Sequence, residues 1–505
     1  MLAAMKKTLL LFLLLPALAT GESHGKLRAL YNSLDQTSIS QHLALYRLYP
    51  ESAEGKRALQ HAWQLMGREK GRPLPLRSAA VEGVIALVNK EPNREGVVLD
   101  AAAVEAIEEV AAKLPNRRLK GHSARTEEEV LALPPEEVDL ARALFLSQAD
   151  ELSREERQSY EAMLDVMALQ VLARLPENAS ANEKIETINH LIFEEMRFRF
   201  PPHSIYAKEI DLYTFLPSVL DSRKGVCLGV SILYICLAQR LGLELEMITP
   251  PGHIYVRWRE GGKVRNIETT ARGIHIDSKE YLGVETRKLQ ARHVKEVVGL
   301  AHFNQAAVYW QREEHAKAVA AYEKAEPYLP DDPLLKELKG YNYLFLGKRQ
   351  EGEALLKSVQ DHLPDHAVSK GTIAEDYLRG DVDAEGIRTI FLAVDETREA
   401  VEEKRKKLET VLERHPKFRA GHLALATTWL QLHRFKEALA VLERHHSLYS
   451  SDPLAEYFLA AIYNERLDIN SARSHLEIAQ NLVRTRGHSP KALVELKREL
   501  DLKSL

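Results

Sequence analysis

The chain has 505 residues, 45% of them hydrophobic and 28% charged, with a formal net charge of -4. That length exceeds one ordinary core and predicts two to four domains, and the composition is that of a globular chain, which excludes general disorder. Basic and acidic residues are interspersed, so the sequence lacks the concentrated positive charge of a nucleic-acid-binding surface.

The N-terminus predicts an export signal over residues 1–19. Lys6 and Lys7 precede an apolar centre at 8–15, and Ala17-Leu-Ala19 has the small-x-small spacing of a cleavage site. An uncleaved anchor or a buried helix is the competing reading of this stretch. No cysteine follows the apolar run, which argues against a lipid anchor, and an exported protein, periplasmic or secreted, is expected. Residues 20–136 read as an N-terminal helical region with helices at 39–49, 55–66 and 99–114 and no chemical motif. The stretch 115–135 is basic and then acidic without periodicity, and it is expected to be a linker. Helical pattern resumes at Val138. Ser180-Ala-Asn-Glu183 is a capping box, and the overlapping Asn178-Ala-Ser180 is taken as part of that helix start rather than as a glycosylation site.

A polar turn, Asp221-Ser-Arg-Lys-Gly-Val, then delivers Cys227 to the first turn of an apolar helix that closes at Gly242. The chain has two cysteines, Cys227 and Cys236. Nine residues on one helix amount to roughly 900° of rotation and roughly 13 Å of rise, so the pair cannot form a disulfide. Cys236 is expected to be a small core residue. Cys227, at the helix mouth, sits where unpaired amides carry partial positive charge and favour a thiolate, and Arg223 and Lys224 are placed to add to that field. After Gly242 the pattern predicts strands at 245–248, 254–258 and 264–268. The last two form a hairpin through Gly261-Gly262. A two-residue loop makes paired positions sum to 523 and, like a four-residue loop, puts His253 and Glu268 on one face; a three-residue loop would separate them. Thiol, imidazole and carboxylate in that order are the raw material of nucleophilic catalysis. Each residue taken alone has a plainer structural explanation.

Gly225-Val-Cys227 opening a helix, Gly252-His253 opening a strand and Asn266-Ile-Glu-Thr-Thr270 on the next resemble the transglutaminase-like cysteine proteinase superfamily. Asn189-His-Leu-Ile-Phe-Glu-Glu195 and Phe215-Leu-Pro-Ser-Val-Leu220 are similar to a bacterial branch of it. The resemblance implies a papain-like core, with Cys227 as nucleophile, His253 as base and Glu268 as the orienting acid. The family usually carries Asp at the third position; Glu268 is one methylene longer, and Asp277 is the alternative acid. Members of that branch that lack the cysteine look like binding modules. The Cys227 backbone amide is the candidate oxyanion donor.

From about Val298 a different pattern takes over. Ala306, Tyr309, Ala318, Tyr322, Ala325 and Pro330 recur 34 residues later as Gly340, Tyr343, Gly352, Leu356, Val359 and Pro364. Ala426, Trp429, Ala438 and Leu442 recur at the same offset as Ala460, Tyr463, Ala472 and Leu476. Small residues where helices cross and prolines after the second helix resemble tetratricopeptide repeats. The stretch 366–400 reads as a degenerate repeat or linker, 401–415 as the second helix of a further unit, and 486–505 as a capping helix.

The expected architecture is a mostly α multidomain protein. An α+β transglutaminase-like domain at 137–290 is followed by an α-solenoid of tetratricopeptide repeats at 298–365 and 401–485. The expected function is an exported thiol protein acting on amide bonds of peptides or proteins, hydrolysing them or passing the acyl group to an amine, with the repeats holding a partner. The alternative is an inactive fold that serves with the repeats as a scaffold. No cofactor is expected, and no histidine or cysteine spacing typical of a metal site occurs. Deleting 298–505 is expected to leave thiol reactivity and remove partner capture.

Overall fold

Ser38, Ser52 and Asp100 each accept a hydrogen bond from the amide three residues on, and so start helices Ile39–Leu48, Ala53–Leu65 and Ala101–Ala111. These are the three N-terminal helices read from periodicity. The computed structural model describes residues 23–67, 78–92, 96–201, 213–394 and 397–503. The predicted signal segment 1–19 lies outside the described residues. The chain divides into two compact units, residues 1–90, 97–113 and 162–187 in one and 91–96, 114–161 and 188–505 in the other. The first is helical, with a core cluster that includes Tyr31, Leu45 and Ala58, and Ser180 and Glu183 form the predicted capping box there. Among the described residues no helix is long and apolar enough to cross a membrane.

The second unit contains the sheet and the repeats. Its four antiparallel strands run in the order β3-β2-β1-β4, with β1 Glu246–Thr249, β2 Tyr255–Glu260, β3 Lys263–Ile267 and β4 Gln290–Arg292. The hairpin register is the predicted one: Glu260 pairs with Lys263 and Val256 with Ile267, while Gly261 and Gly262 take positive φ of 54° and 81°. Strand β4 was not foreseen, because three residues, Gln-Ala-Arg, carry no alternation to detect. Helix Cys227–Arg240 is apolar on all sides, and every residue from Leu228 to Ala238 is buried. Both cysteines are free, and Cys236 is fully buried.

The stretch expected to be a linker is structural. It folds as short turns Pro115–Arg118 and Lys120–Ser123 and helix Glu127–Ala132. Asn116 donates to the buried carboxylate of Asp139 at 2.9 Å, and Lys295 reaches the Leu133 carbonyl at 3.1 Å. Single 3₁₀ turns have no helical period, so periodicity is blind to them.

The repeats are helix pairs: Val294–Gln311 with His315–Ala325, Pro333–Phe345 with Arg349–Val359, Arg419–Gln431 with Phe435–Leu448, and Pro453–Glu465 with Ile469–Arg484. The recurring small residues lie where the helices cross. A Cβ on Gly352 would stand 2.9 Å from the Gly340 carbonyl oxygen and 2.6 Å from Leu344. Between the pairs, 366–400 contains two seven-residue helices, Ile373–Arg379 and Ala384–Ile390. Helix Lys491–Leu502 closes the array by burying Leu493, Leu496 and Leu500.

The array meets the sheet domain at both of its ends. Helix Val294–Gln311 follows β4 directly. The segment 283–288 pairs with the repeats, Arg287 N donating to His366 O at 3.0 Å and Val368 N to Glu285 O at 2.9 Å. Beyond it, His488 Nε2 lies 2.8 Å from Gly283 O, and Lys491 pairs with Glu280 at 3.1 Å.

Candidate active site

Cys227 is the first residue of its helix, partly exposed, behind a cap residue, Val226, that offers no side-chain bond. The amides of that first turn have no intrahelical partner and point toward the thiol's end of the helix. Gly229 permits this approach, since a Cβ there would stand 2.1 Å from the carbonyl oxygen of Tyr213, which also accepts the Val226 amide. Arg223 takes a left-handed φ of 53° and donates to Met196 O, and the Lys224 ammonium sits over the Tyr213 ring.

His253 precedes β2 and Glu268 follows β3, and the hairpin brings them together: His253 Nε2 is 2.6 Å from Glu268 Oε2. With Nε2 held by the carboxylate, Nδ1 is the ring nitrogen left for the thiol. Burial opposes charging of the ring, yet the nearby Cys227 thiol and the hydrogen bond and charge of Glu268 raise its pKa to about 9. The three residues read from the sequence therefore converge. The longer side chain of Glu268 reaches the ring without difficulty. The alternative acid, Asp277, is exposed and caps the turn Ser278–Tyr281 by accepting from Lys279 N at 2.9 Å.

Glu268 is buried and saturated with donors. Oε1 accepts from Thr270 N and Thr270 Oγ1 at 3.2 and 2.7 Å, and Oε2 accepts from His253 and from the Tyr281 hydroxyl at 2.6 Å each. Burial works to raise its pKa, but the donors His253, Tyr281 and Thr270 outweigh it and hold the carboxyl below its ordinary value. Tyr281 was missed by sequence reasoning. It lies outside any strand in a short 3₁₀ turn, and nothing in its spacing marks it. Its ring stacks on His253, with centroids 5.6 Å apart and planes 15° apart, and on Tyr255 at 4.9 Å. Behind it, Arg257 donates to Asn266 Oδ1, Tyr255 OH and Ser278 Oγ, tying β2 and β3 to the same turn.

The thiol and imidazole open into a groove of about 1010 Å³. One wall is the thiol helix and the Pro250-Pro-Gly turn. The facing wall comes from the first repeats, through Leu300, Phe303, Leu329 and Leu334. A separate catalytic domain and separate repeats were expected, whereas the groove is made by both.

Residues 158–297 match the family model of the transglutaminase-like superfamily. A stretch of 104 residues is 26% identical to F-box only protein 21 of Mus musculus and 25% identical to that of Homo sapiens. Each match covers 21% of this chain and spans only 15% of the length of the relative. Among solved structures, a thermophilic TPR protein of Thermus thermophilus is similar at 17% identity and a TM-score of 0.21, covering 41% of this chain and 98% of that one. Yeast Tom70 is similar at 13% identity and 0.23, covering 95% and 93%. Likeness that slight carries nothing beyond the helix pairs already described. The chain carries a transglutaminase-like domain over residues 158–297, joined to tetratricopeptide-like helix pairs.

Proposed function

We propose that the protein is an exported thiol enzyme that cleaves or transfers amide bonds of a peptide or protein, with Cys227 as nucleophile, His253 as acid and base, and Glu268 as the positioning carboxylate. The observation that carries the proposal is the His253 ring, held at 2.6 Å by Glu268 and lining one groove with the Cys227 thiol. A ring that holds its proton to about pH 9 is charged at neutrality and able to protonate a departing amine. Sγ then attacks the amide carbon, the C–N bond breaks, and the imidazolium gives its proton to the departing amine. Water or a second amine next attacks the thioester carbon, yields its proton to His253, and releases the acid or the new amide with Cys227 restored. Amides of the first turn of the thiol helix are suitably placed to receive the developing oxyanion.

The test is alkylation of the full chain by iodoacetamide at neutral pH, in wild type, Cys227→Ala and His253→Ala. Labelling of one site that disappears in C227A and slows about tenfold or more in H253A supports the proposal. Equal rates in wild type and H253A sink it. Export is tested separately, by finding the protein outside the cytoplasm with residues 1–19 removed.

A scaffold reading is favoured by one feature. The apolar wall contributed by the repeats can hold a peptide whether or not the thiol reacts. Peptide capture by C227A with no turnover by wild type would select it.

A further inference from the structure

Glu456 is fully buried on helix Pro453–Glu465, with an imidazole against each of its oxygens. His475 Nδ1, from helix Ile469–Arg484, is 2.7 Å from Oε2, and His446 Nδ1, from helix Phe435–Leu448, contacts Oε1. One ligand atom from each of the three lies within 4.8 Å of the other two, and among the described residues no other three such groups converge. We propose that His446, Glu456 and His475 form a binding site for a divalent first-row transition cation, with zinc as the leading candidate.

Four observations support the assignment. The donors are two imidazoles and one carboxylate, the set that suits zinc and its neighbours rather than calcium or magnesium. The rings meet edge to face, with centroids 5.2 Å apart and planes at 84°, so their nitrogens converge on one point instead of stacking. Ligands about 2.0 Å from a tetrahedral ion stand roughly 3.3 Å from one another, within reach of small rotations of the two part-exposed rings. The Tyr463 ring lies parallel to His475 at 5.6 Å and holds that ring in place, as outer groups do at metal sites. His446 is the more exposed of the two, at 32% of its side chain against 16% for His475, so the approach from solvent is on its side.

Burying a carboxylate is costly, and the hydrogen bonds from the two imidazoles offset part of that cost. A divalent ion would displace the protons on the ligating nitrogens, so its affinity falls as pH is lowered. The three ligands come from consecutive helices, so the ion would cross-link them and stiffen the end of the array. No familiar spacing announces the site, because the intervals of 10 and 19 residues are set by helix packing.

The experiment uses the full chain, freed of any histidine tag and of metal, titrated with Co2+ and then displaced by Zn2+. We expect one ion per chain with visible d–d bands and no thiolate charge-transfer band, since no cysteine is in the site. Binding should fall tenfold or more in His446→Gln, His475→Gln and Glu456→Gln, and stay unchanged in Cys227→Ala. H446Q and H475Q alter part-exposed rings, and circular dichroism reports whether each variant is folded. Unchanged binding in folded H475Q and H446Q, or no binding at micromolar ion, overturns the proposal and leaves the cluster as an ion-pair network only.

Discussion

Tyr281 and His253 share one oxygen of Glu268: the tyrosine hydroxyl and the imidazole Nε2 each lie 2.6 Å from Oε2. The carboxylate therefore aims the ring while a second donor, itself stacked on that ring, fixes the carboxylate. Tyr281 is a positioning residue, and it lies just before the segment that the repeats hold.

Glu268→Gln removes the charge that favours the imidazolium. The His253 midpoint should fall from about 9 toward the ordinary 6.5, as read by NMR titration of labelled histidine. The sign for stability follows from a raised folded-state pKa. The stabilisation from the charged ring is complete below about 6.5 and is lost as pH rises through about 9. Between those values the wild type should lose more Tm than E268Q does.

Tyr281→Phe keeps the stack and deletes the hydroxyl. A hydrogen bond to a charged group contributes about 1.5 kcal/mol at the low end of its range, which suits a half-exposed donor. Denaturant unfolding should show a loss near that size, and Glu268, deprived of a donor, should take up a proton at higher pH than in wild type. An unchanged titration of Glu268 would show that the hydroxyl does not position the site.

Asp139→Ala should be far more damaging than any change in a real linker. Burial works against this carboxylate, but His122, the charge of Arg240 and Asn116 hold its pKa well below the usual range. Removing it leaves the buried Asn116 amide without its acceptor, a loss of about 1–3 kcal/mol for a buried donor left unsatisfied. A thermal melt of the full chain checks it, with Asp139→Asn expected to fall between wild type and alanine.

Deleting residues 298–505 should abolish His253-dependent labelling of Cys227, contrary to what independent domains would give. The deletion removes one wall of the groove and the groups that hold 280–288, including His366, His488 and Lys491. Wild-type labelling rates in the truncated chain would show that the sheet domain positions its own site.

Local rules carried much of this protein. The capped N-terminal helices, the thiol at the first position of its helix, the absence of a disulfide and the 34-residue repeat are each set by spacing within one or two neighbouring elements. So is the hairpin parity, because a strand alternates its faces and Gly261-Gly262 sets the count. For that reason Cys227, His253 and Glu268 are legible as a set from the chain alone.

What tertiary structure alone decided are the contacts between elements remote in sequence. Tyr281 reaches Glu268 from a 3₁₀ turn with no period, Asp139 finds Asn116 and Arg240 across the domain, and the repeats close over the thiol through Phe303 and Leu334. The His446, Glu456 and His475 cluster exists only because three helices stack. Periodicity reports which face of an element is buried, but not which other element buries it, and that second fact is where the groove and the cluster arise.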